Sequence, residues 1–174
     1  RAMDDVIITA ASATAFTGET GATSTAAQTA IAAGGAGLTI AKLRTAKQTF
    51  DLASVDPSIP RHIVVGPEQI TNLLSTTEVT SSDFNTVKAL VQGEIDSFLG
   101  FKFTVSNRLA KSGNDRTCIA FAQDGITLAI GKDVSARIDE RADKSYATQV
   151  YYCQSIGATR MEEAKVLGIV CQEA

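Results

Sequence analysis

The 174-residue sequence has no tryptophan, one histidine, three prolines, three cysteines and no excess of basic residues. Each shortage closes off a class of function. With no Trp and aromatics at only 6%, there is little from which to build a stacking surface for bases or sugars. Lys and Arg number 16 against 19 Asp and Glu, a net charge of −3. The cations are scattered and often sit beside carboxylates, as in Arg137-Ile138-Asp139-Glu140-Arg141. A grip on phosphate needs clustered positive charge, because counterion release supplies the affinity. Direct nucleic-acid binding is therefore not expected. No apolar run approaches the ~20 residues of a membrane-spanning helix, and the opening residues do not read as a signal peptide, so no membrane contact is expected.

The three cysteines, Cys118, Cys153 and Cys171, are odd in number and far apart. That argues against a disulfide framework or a paired-cysteine metal site. Cys153 and Cys171 lie in alternating, strand-like runs and are expected to be buried small apolar residues, as suits a reducing cytosol. His62 is the lone histidine, at a strand entrance between Arg61 and Ile63. No second polar group beside it suggests catalysis or metal binding. Nothing local to the cysteines supplies a base to activate them. Asp4-Asp5, Asp139-Glu140 and Glu162-Glu163 are adjacent pairs whose side chains diverge on a helix or a strand. Gly35-Ala36-Gly37-Leu38-Thr39-Ile40 starts like a dinucleotide loop but has Ile40 where the third glycine belongs. Gly131-Lys132-Asp133 has Asp where a phosphate loop needs Ser or Thr, and its first glycine is misplaced. We therefore assign no catalytic residue, no cofactor-binding residue, no metal ligand and no cofactor. The chain is expected not to be an enzyme and to work by associating with copies of itself. The rival is a small enzyme assembled from distant residues such as Cys118 and His62.

What is present is an uneven α+β pattern with no regular strand–helix–strand rhythm. Arg1-Ala2-Met3-Asp4-Asp5-Val6-Ile7-Ile8 reads as the middle of a helix, so the sequence is expected to be a piece of a longer chain. In residues 10–37, all but Phe16, Glu19, Gln28 and Ile31 are Ala, Gly, Ser or Thr. So little bulky side chain predicts a long surface loop or extended hairpin, a candidate contact with a neighbouring copy. Thr39 caps a helix carrying Ile40, Leu43, Phe50 and Ala53, which ends before Pro57. Ile63-Val64-Val65 is a strand, and Pro67 opens a second helix with Ile70, Leu73 and Leu74 toward the core. Ser82 or Asp83 caps a third helix bearing Phe84, Val87, Leu90 and Val91, with Gly93 its stop. Phe101-Lys102-Phe103-Thr104-Val105 alternates as a half-buried strand. Residues 116–122 predict a strand leading into a short helix at 124–130, followed by strands at 133–140, 146–156 and 165–171, with Gly157-Ala158-Thr159-Arg160 a turn. The charges at Arg137, Asp139, Glu140, Arg141, Asp143 and Lys144 form either a solvated face or a row of ion pairs to a neighbouring copy.

Several segments, taken in order, resemble the major capsid protein of tailed bacteriophages. They are Arg61-His62-Ile63-Val64-Val65-Gly66-Pro67-Glu68-Gln69-Ile70-Thr71-Asn72-Leu73-Leu74; residues 83–100 with the following Phe101-Lys102-Phe103; Gly125-Ile126-Thr127-Leu128-Ala129-Ile130; Asp133-Val134; Gly157-Ala158-Thr159-Arg160; and residues 166–172. The resemblance covers nearly the whole chain, and its signal lies in the order of segments. It implies a wedge-shaped subunit made of the axial lobe plus part of the peripheral lobe. Residues 1–37 would be the end of a spine helix and a low-complexity loop, 38–132 the axial domain, and 133–174 strands shared between peripheral and axial domains. Residues 145–160 would return to the peripheral lobe. The family's amino-terminal arm and extended loop would precede Arg1. The implied function is an icosahedral shell subunit, forming pentamers and hexamers with copies of itself in the full-length protein. That shell encloses packaged DNA without specific binding, assembles in the host cytoplasm, and leaves room for scaffolding and portal proteins as partners. An encapsulin-like compartment shell or another phage structural protein is the alternative.

Overall fold

The structure, a computed structural model, describes residues 2–17, 19–21, 23–25, 31–75 and 97–173. The helix expected at 82–93 lies outside the described residues.

Helix α1 spans Ala2–Ser12. Short antiparallel strands β1 (Ala15–Thr17) and β2 (Thr23–Thr25) follow, so the hairpin form of the low-complexity stretch is the one observed there. Helix α2 is Ile40–Leu52, with Thr39 in extended conformation and its hydroxyl accepting from the Lys42 backbone N–H. Strand β3 (Arg61–Val65) leads through Gly66 into α3 (Pro67–Leu74), where Pro67 occupies the first turn. The missing proline N–H is one the helix start leaves unbonded in any case.

The remaining strands are β4 (Ser97–Phe98), β5 (Phe101–Val105), β6 (Lys111–Ser112), β7 (Asp115–Ala122), β8 (Ile126–Arg141), β9 (Ala147–Arg160) and β10 (Val166–Gln172). Strands β10, β7, β3, β5 and β4 form one sheet in that order, with β6 paired to β7. Only β3 and β5 run parallel. Ile31 adds a parallel bridge outside β10 through its amide to the Gly168 carbonyl and its carbonyl to the Val170 amide, both 2.8 Å. The end of the small-residue stretch is thus laid along the sheet edge by its backbone and is not a free loop.

One face of this sheet carries the core. Alternation along β3 buries Arg61, Ile63 and Val65, and their cross-strand partners Phe101, Ala120 and Ala122 share that face. Leu43, Ala46 and Phe50 of α2 are fully buried, and the Phe50 and Phe101 rings meet at 6.0 Å, tilted. The two rings alone remove enough apolar surface to contribute about 2–3 kcal/mol each. Arg61 lies 5.5 Å over the Phe50 ring and donates to Asp51 at 2.7 Å. In α3 the buried positions are Leu73 and Gln69, while Ile70 and Leu74 are half-buried.

The second half departs from expectation in two places. Residues 126–130 are strand, not helix, and Gly157-Ala158-Thr159-Arg160 is strand, not turn. They pair with each other, Ile126 with Arg160 through Ala129 with Gly157, as the root of a two-stranded arm. The pairing partners are distant in sequence, and each segment is too short for its own alternation to decide between strand, helix and turn.

Candidate functional site

The arm is the most distinctive surface. Strand β8 has 16 residues and β9 has 14, paired from Ile126–Arg160 at the root to Arg141–Ala147 near the tip. The register slips between Ile130 and Lys132 and again between Lys132 and Ser135, which increases twist along the ribbon. At the tip, Ser145 and Tyr146 both have positive φ, 52° and 57°. Non-glycine residues adopt that conformation only when the surroundings hold it there.

A two-stranded ribbon has no interior, and its apolar side chains are left facing solvent. Among the described residues, seven of the eleven exposed large hydrophobics lie on the arm or its tip: Ile130, Val134, Ile138, Tyr146, Val150, Tyr151 and Tyr152. Cross-strand partners share a face, so Ile138 with Val150 and Ala136 with Tyr152 form one apolar patch. The opposite face alternates Arg137, Asp139 and Arg141 with Tyr151, Gln149 and Ala147. Of the charge run, Arg141 and Asp143 pair with each other, with Arg141 Nε to Asp143 Oδ1 at 2.8 Å. Arg137, Asp139, Glu140 and Lys144 form no ion pair among the described residues. Clustered apolar side chains rimmed by charges on an exposed ribbon make this a candidate contact surface.

The root is fixed by charged groups whose importance no local pattern announces. Arg160, its side chain 1% exposed, donates to the Ala11 carbonyl at the end of α1 (3.2 Å) and to the Thr25 carbonyl on β2 (3.0 Å). One side chain therefore ties the arm to the first helix and to the small hairpin. Across the two chain crossings, Lys165 bridges Asp124 at 2.6 Å and Glu162 at 2.8 Å. Asp124, then Glu162, pushes the Lys165 ammonium up to about 12. The Met161 amide bonds the Gly125 carbonyl at 3.0 Å. A Cβ on Gly125 would fall 2.9 Å from the Lys165 carbonyl and 3.1 Å from that of Ala122, both backbone.

Two further ionic anchors hold the body. Lys42 is buried and donates to the carbonyls of Ala36 (2.7 Å), Gly37 (2.9 Å) and Val170 (2.9 Å), clamping the end of the low-complexity stretch onto β10. Glu173, 3% exposed, accepts from Arg116, Lys111 and Gln69, and its amide donates to the Asn114 carbonyl at 2.7 Å. Arg116 first, and then Lys111, holds its carboxyl down to about 2.

The residues weighed for chemistry are kept apart. His62 stacks on Phe121 at 5.6 Å, and burial, followed by the charge of Lys102, lowers its pKa. Val65, not His62, shares Cys118's face. Register pairs His62 with Phe121 and Val64 with Ile119, so Cys118 falls on the opposite face of the sheet from His62. Cys118 and Cys171 are buried free thiols, as expected for Cys171, and a hydrogen bond with Cys171 together with burial raises the Cys118 pKa. Cys153 departs from expectation. It is half-buried on the arm, 3.0 Å from the Ser135 hydroxyl, and Ser135, then Lys132, lowers its thiol to about 7. It is not a core cysteine because the ribbon has no core. Gly131-Lys132-Asp133 lies within β8 at the register slip, and Gly35-Ala36-Gly37 lies under the Lys42 clamp.

A family model described as phage capsid protein matches residues 1–173. The chain belongs to the phage capsid protein family. Among solved structures, the capsid of Ralstonia phage GP4 superposes with a TM-score of 0.69 at 10% identity, covering 98% of this chain and 63% of that one. A chain of Mycobacterium phage Che8 gives 0.66 at 21% identity, covering 95% and 55%. The holo encapsulin complex of Synechococcus elongatus PCC 7942 gives 0.52 at 10% identity, covering 80% and 51%. No curated protein sequence matches. The capsid-family chain thus has the tailed-phage major capsid fold, as the order of its segments implied. It spans between 49% and 65% of the phage chains it is compared with.

Proposed function

We propose that the chain is a structural subunit of an icosahedral phage capsid, self-assembling into the shell that encloses packaged DNA. The observation that carries this reading is the arm, a ribbon with apolar side chains facing solvent, in a chain of the capsid family. A two-stranded ribbon is marginally stable by itself, and a neighbouring copy covering its patch would supply what the chain does not. Repeated modest contacts closed by symmetry then make the assembly stable. Copies of itself are the partners, as pentamers and hexamers, with scaffolding and portal proteins as further ones. DNA is enclosed without specific binding, in keeping with the −3 net charge. The site of action is the virion capsid, formed in the host cytoplasm. No catalytic step is assigned.

Within the lobes proposed from the sequence, 1–37, 38–132 and 133–174, the six-stranded sheet with α2 and α3 serves as the axial lobe. Helix α1 and the arm serve as the peripheral one, with β10 returning to the sheet. An encapsulin-like compartment shell is the second reading, favoured by the Synechococcus likeness. Electron microscopy of the full-length protein tests both. Closed particles are expected, with DNA inside supporting the phage shell and an enzyme cargo supporting the compartment. Ile138→Thr with Val150→Thr, a cross-strand pair that keeps strand preference while removing apolar surface, should leave circular dichroism unchanged and abolish particles. Normal particles from that variant would refute the arm's role.

A further inference from the structure

Away from the arm, the sheet body carries two surfaces of opposite character. The first is a shallow trough of about 490 Å³ between α2 and the β4–β5 turn, lined by Arg44, Lys47, Gln48, Asp51, Leu52 and Leu99. Leu52 is 78% exposed. Asp51 is already committed to Arg61, and Arg44 and Lys47 have no ion-pair partner among the described residues. The trough therefore offers two leucine side chains, one of them largely exposed, beside a net positive charge. The second is the knuckle between β9 and β10, where Met161, 63% exposed, is followed by Glu162 and Glu163. Glu163 faces the buried Arg160 at 3.9 Å, while Lys165 is shared between Glu162 and Asp124, so one ammonium faces two exposed carboxylates there and that pair keeps negative charge.

Topology sets where these surfaces stand. The Leu99–Gly100 turn precedes Phe101, which pairs with Arg61 at the start of β3. The knuckle precedes Val166, which pairs with Phe121, itself opposite His62. Both surfaces thus lie at the same end of the sheet. They belong to its opposite edges, β4 and β10, four strand intervals apart, or roughly 19 Å.

We propose that the Met161–Glu162 knuckle of one copy seats in the Leu52–Leu99 trough of the next, with the Glu162 and Asp124 carboxylates against Arg44 and Lys47. The occupant is a second copy of this chain. Met161 brings an apolar side chain to the two leucines, and the charges set register. A contact between unlike surfaces at one level on opposite edges is head-to-tail, and such contacts close into rings when the rotation per subunit divides the circle. The inference rests on the shell reading and names one of its lateral interfaces.

The test uses assembled particles of the full-length protein in a Cys153→Ser background. Leu52→Cys and Met161→Cys, both at exposed positions, are combined and treated with a short bismaleimide. A ladder of linked copies ending at the ring size is expected, while each single variant stays unlinked. Arg44→Glu with Lys47→Glu, on the outer face of α2, should keep the helical circular dichroism and lower the assembly rate at least tenfold. Particles that form normally but show no 52–161 linkage, and are indifferent to the charge reversal, overturn this contact and leave the shell reading intact. Absence of any particle from the wild type overturns the shell reading, and this contact with it.

Discussion

Replacing Glu173 with glutamine removes one charge while keeping the side chain's shape and its contact with Gln69. In the fold, Arg116 and Lys111 hold this carboxyl at about 2 against an ordinary 4.5. At about 1.4 kcal/mol per unit, the difference is worth about 3 kcal/mol of stability at neutral pH. Two corrections act in opposite directions. Lys111 is 43% exposed, so solvent screens its share. Arg116 is only 12% exposed and would be left without its counter-charge, which costs extra. We expect a loss of about 2–4 kcal/mol, read as a lower urea midpoint with unchanged slope. The pH dependence is the sharper check. A carboxyl whose folded value is depressed stabilises fully above its unfolded value near 4.5, and that stabilisation drains away as pH falls through about 2. The gap between wild type and Glu173→Gln should therefore close between those two values. A gap below about 0.5 kcal/mol at neutral pH, or one that persists undiminished near pH 2, would refute the buried ion cluster as an anchor.

Other outcomes follow from the same geometry. Lys42→Met should cost about 2–3 kcal/mol in chemical denaturation, because it strands the carbonyls of Ala36, Gly37 and Val170; hydrogen exchange at Ile31 and Val170 should accelerate in the same variant. Gly125→Ala forces the backbone apart at the arm root and should lower stability by about 1–3 kcal/mol, as measured by thermal unfolding. Cys153 should react with a thiol reagent far ahead of Cys118 and Cys171, at a rate that rises with pH through about 7 as its thiolate forms; equal labelling of all three would contradict the placement of the arm.

What could be read from the sequence was local. Thr39 as a cap, Pro67 at a helix start and the alternation of β5 each depend on neighbours within a few positions, and the structure has the first two and the third as far as Phe103, Val105 being exposed. The arm root was misread because Gly125-Ile126-Thr127-Leu128-Ala129-Ile130 becomes a strand only by pairing with Gly157-Ala158-Thr159-Arg160, which alone looks like a turn. The ribbon's middle is exposed on both faces, so it lacks the one-sided burial that marks most strands. The buried charges were invisible for a related reason. Lys42 meets Val170 across 128 positions and Glu173 meets Gln69 across 104, and neither side chain differs locally from a surface residue. The candidate surface was partly legible, since the run from Arg137 to Lys144 drew attention to the arm's tip. The apolar patch formed by Ile138, Val150 and Tyr152 appears only once the two strands are in register.

The ribbon leaves the body at its Gly125–Arg160 root, where helix α1 lies against it. At about 3.3 Å per residue its 16-residue strand reaches roughly 50 Å, which gives it the proportions of a lever with its root at the Lys165 bridge. A tilt of about 5° at that root carries the tip through about 4 Å, close to one strand spacing. In the proposed shell, small adjustments among Asp124, Glu162 and Lys165 would be magnified where copies meet, letting one polypeptide fit flat and bent neighbourhoods without refolding.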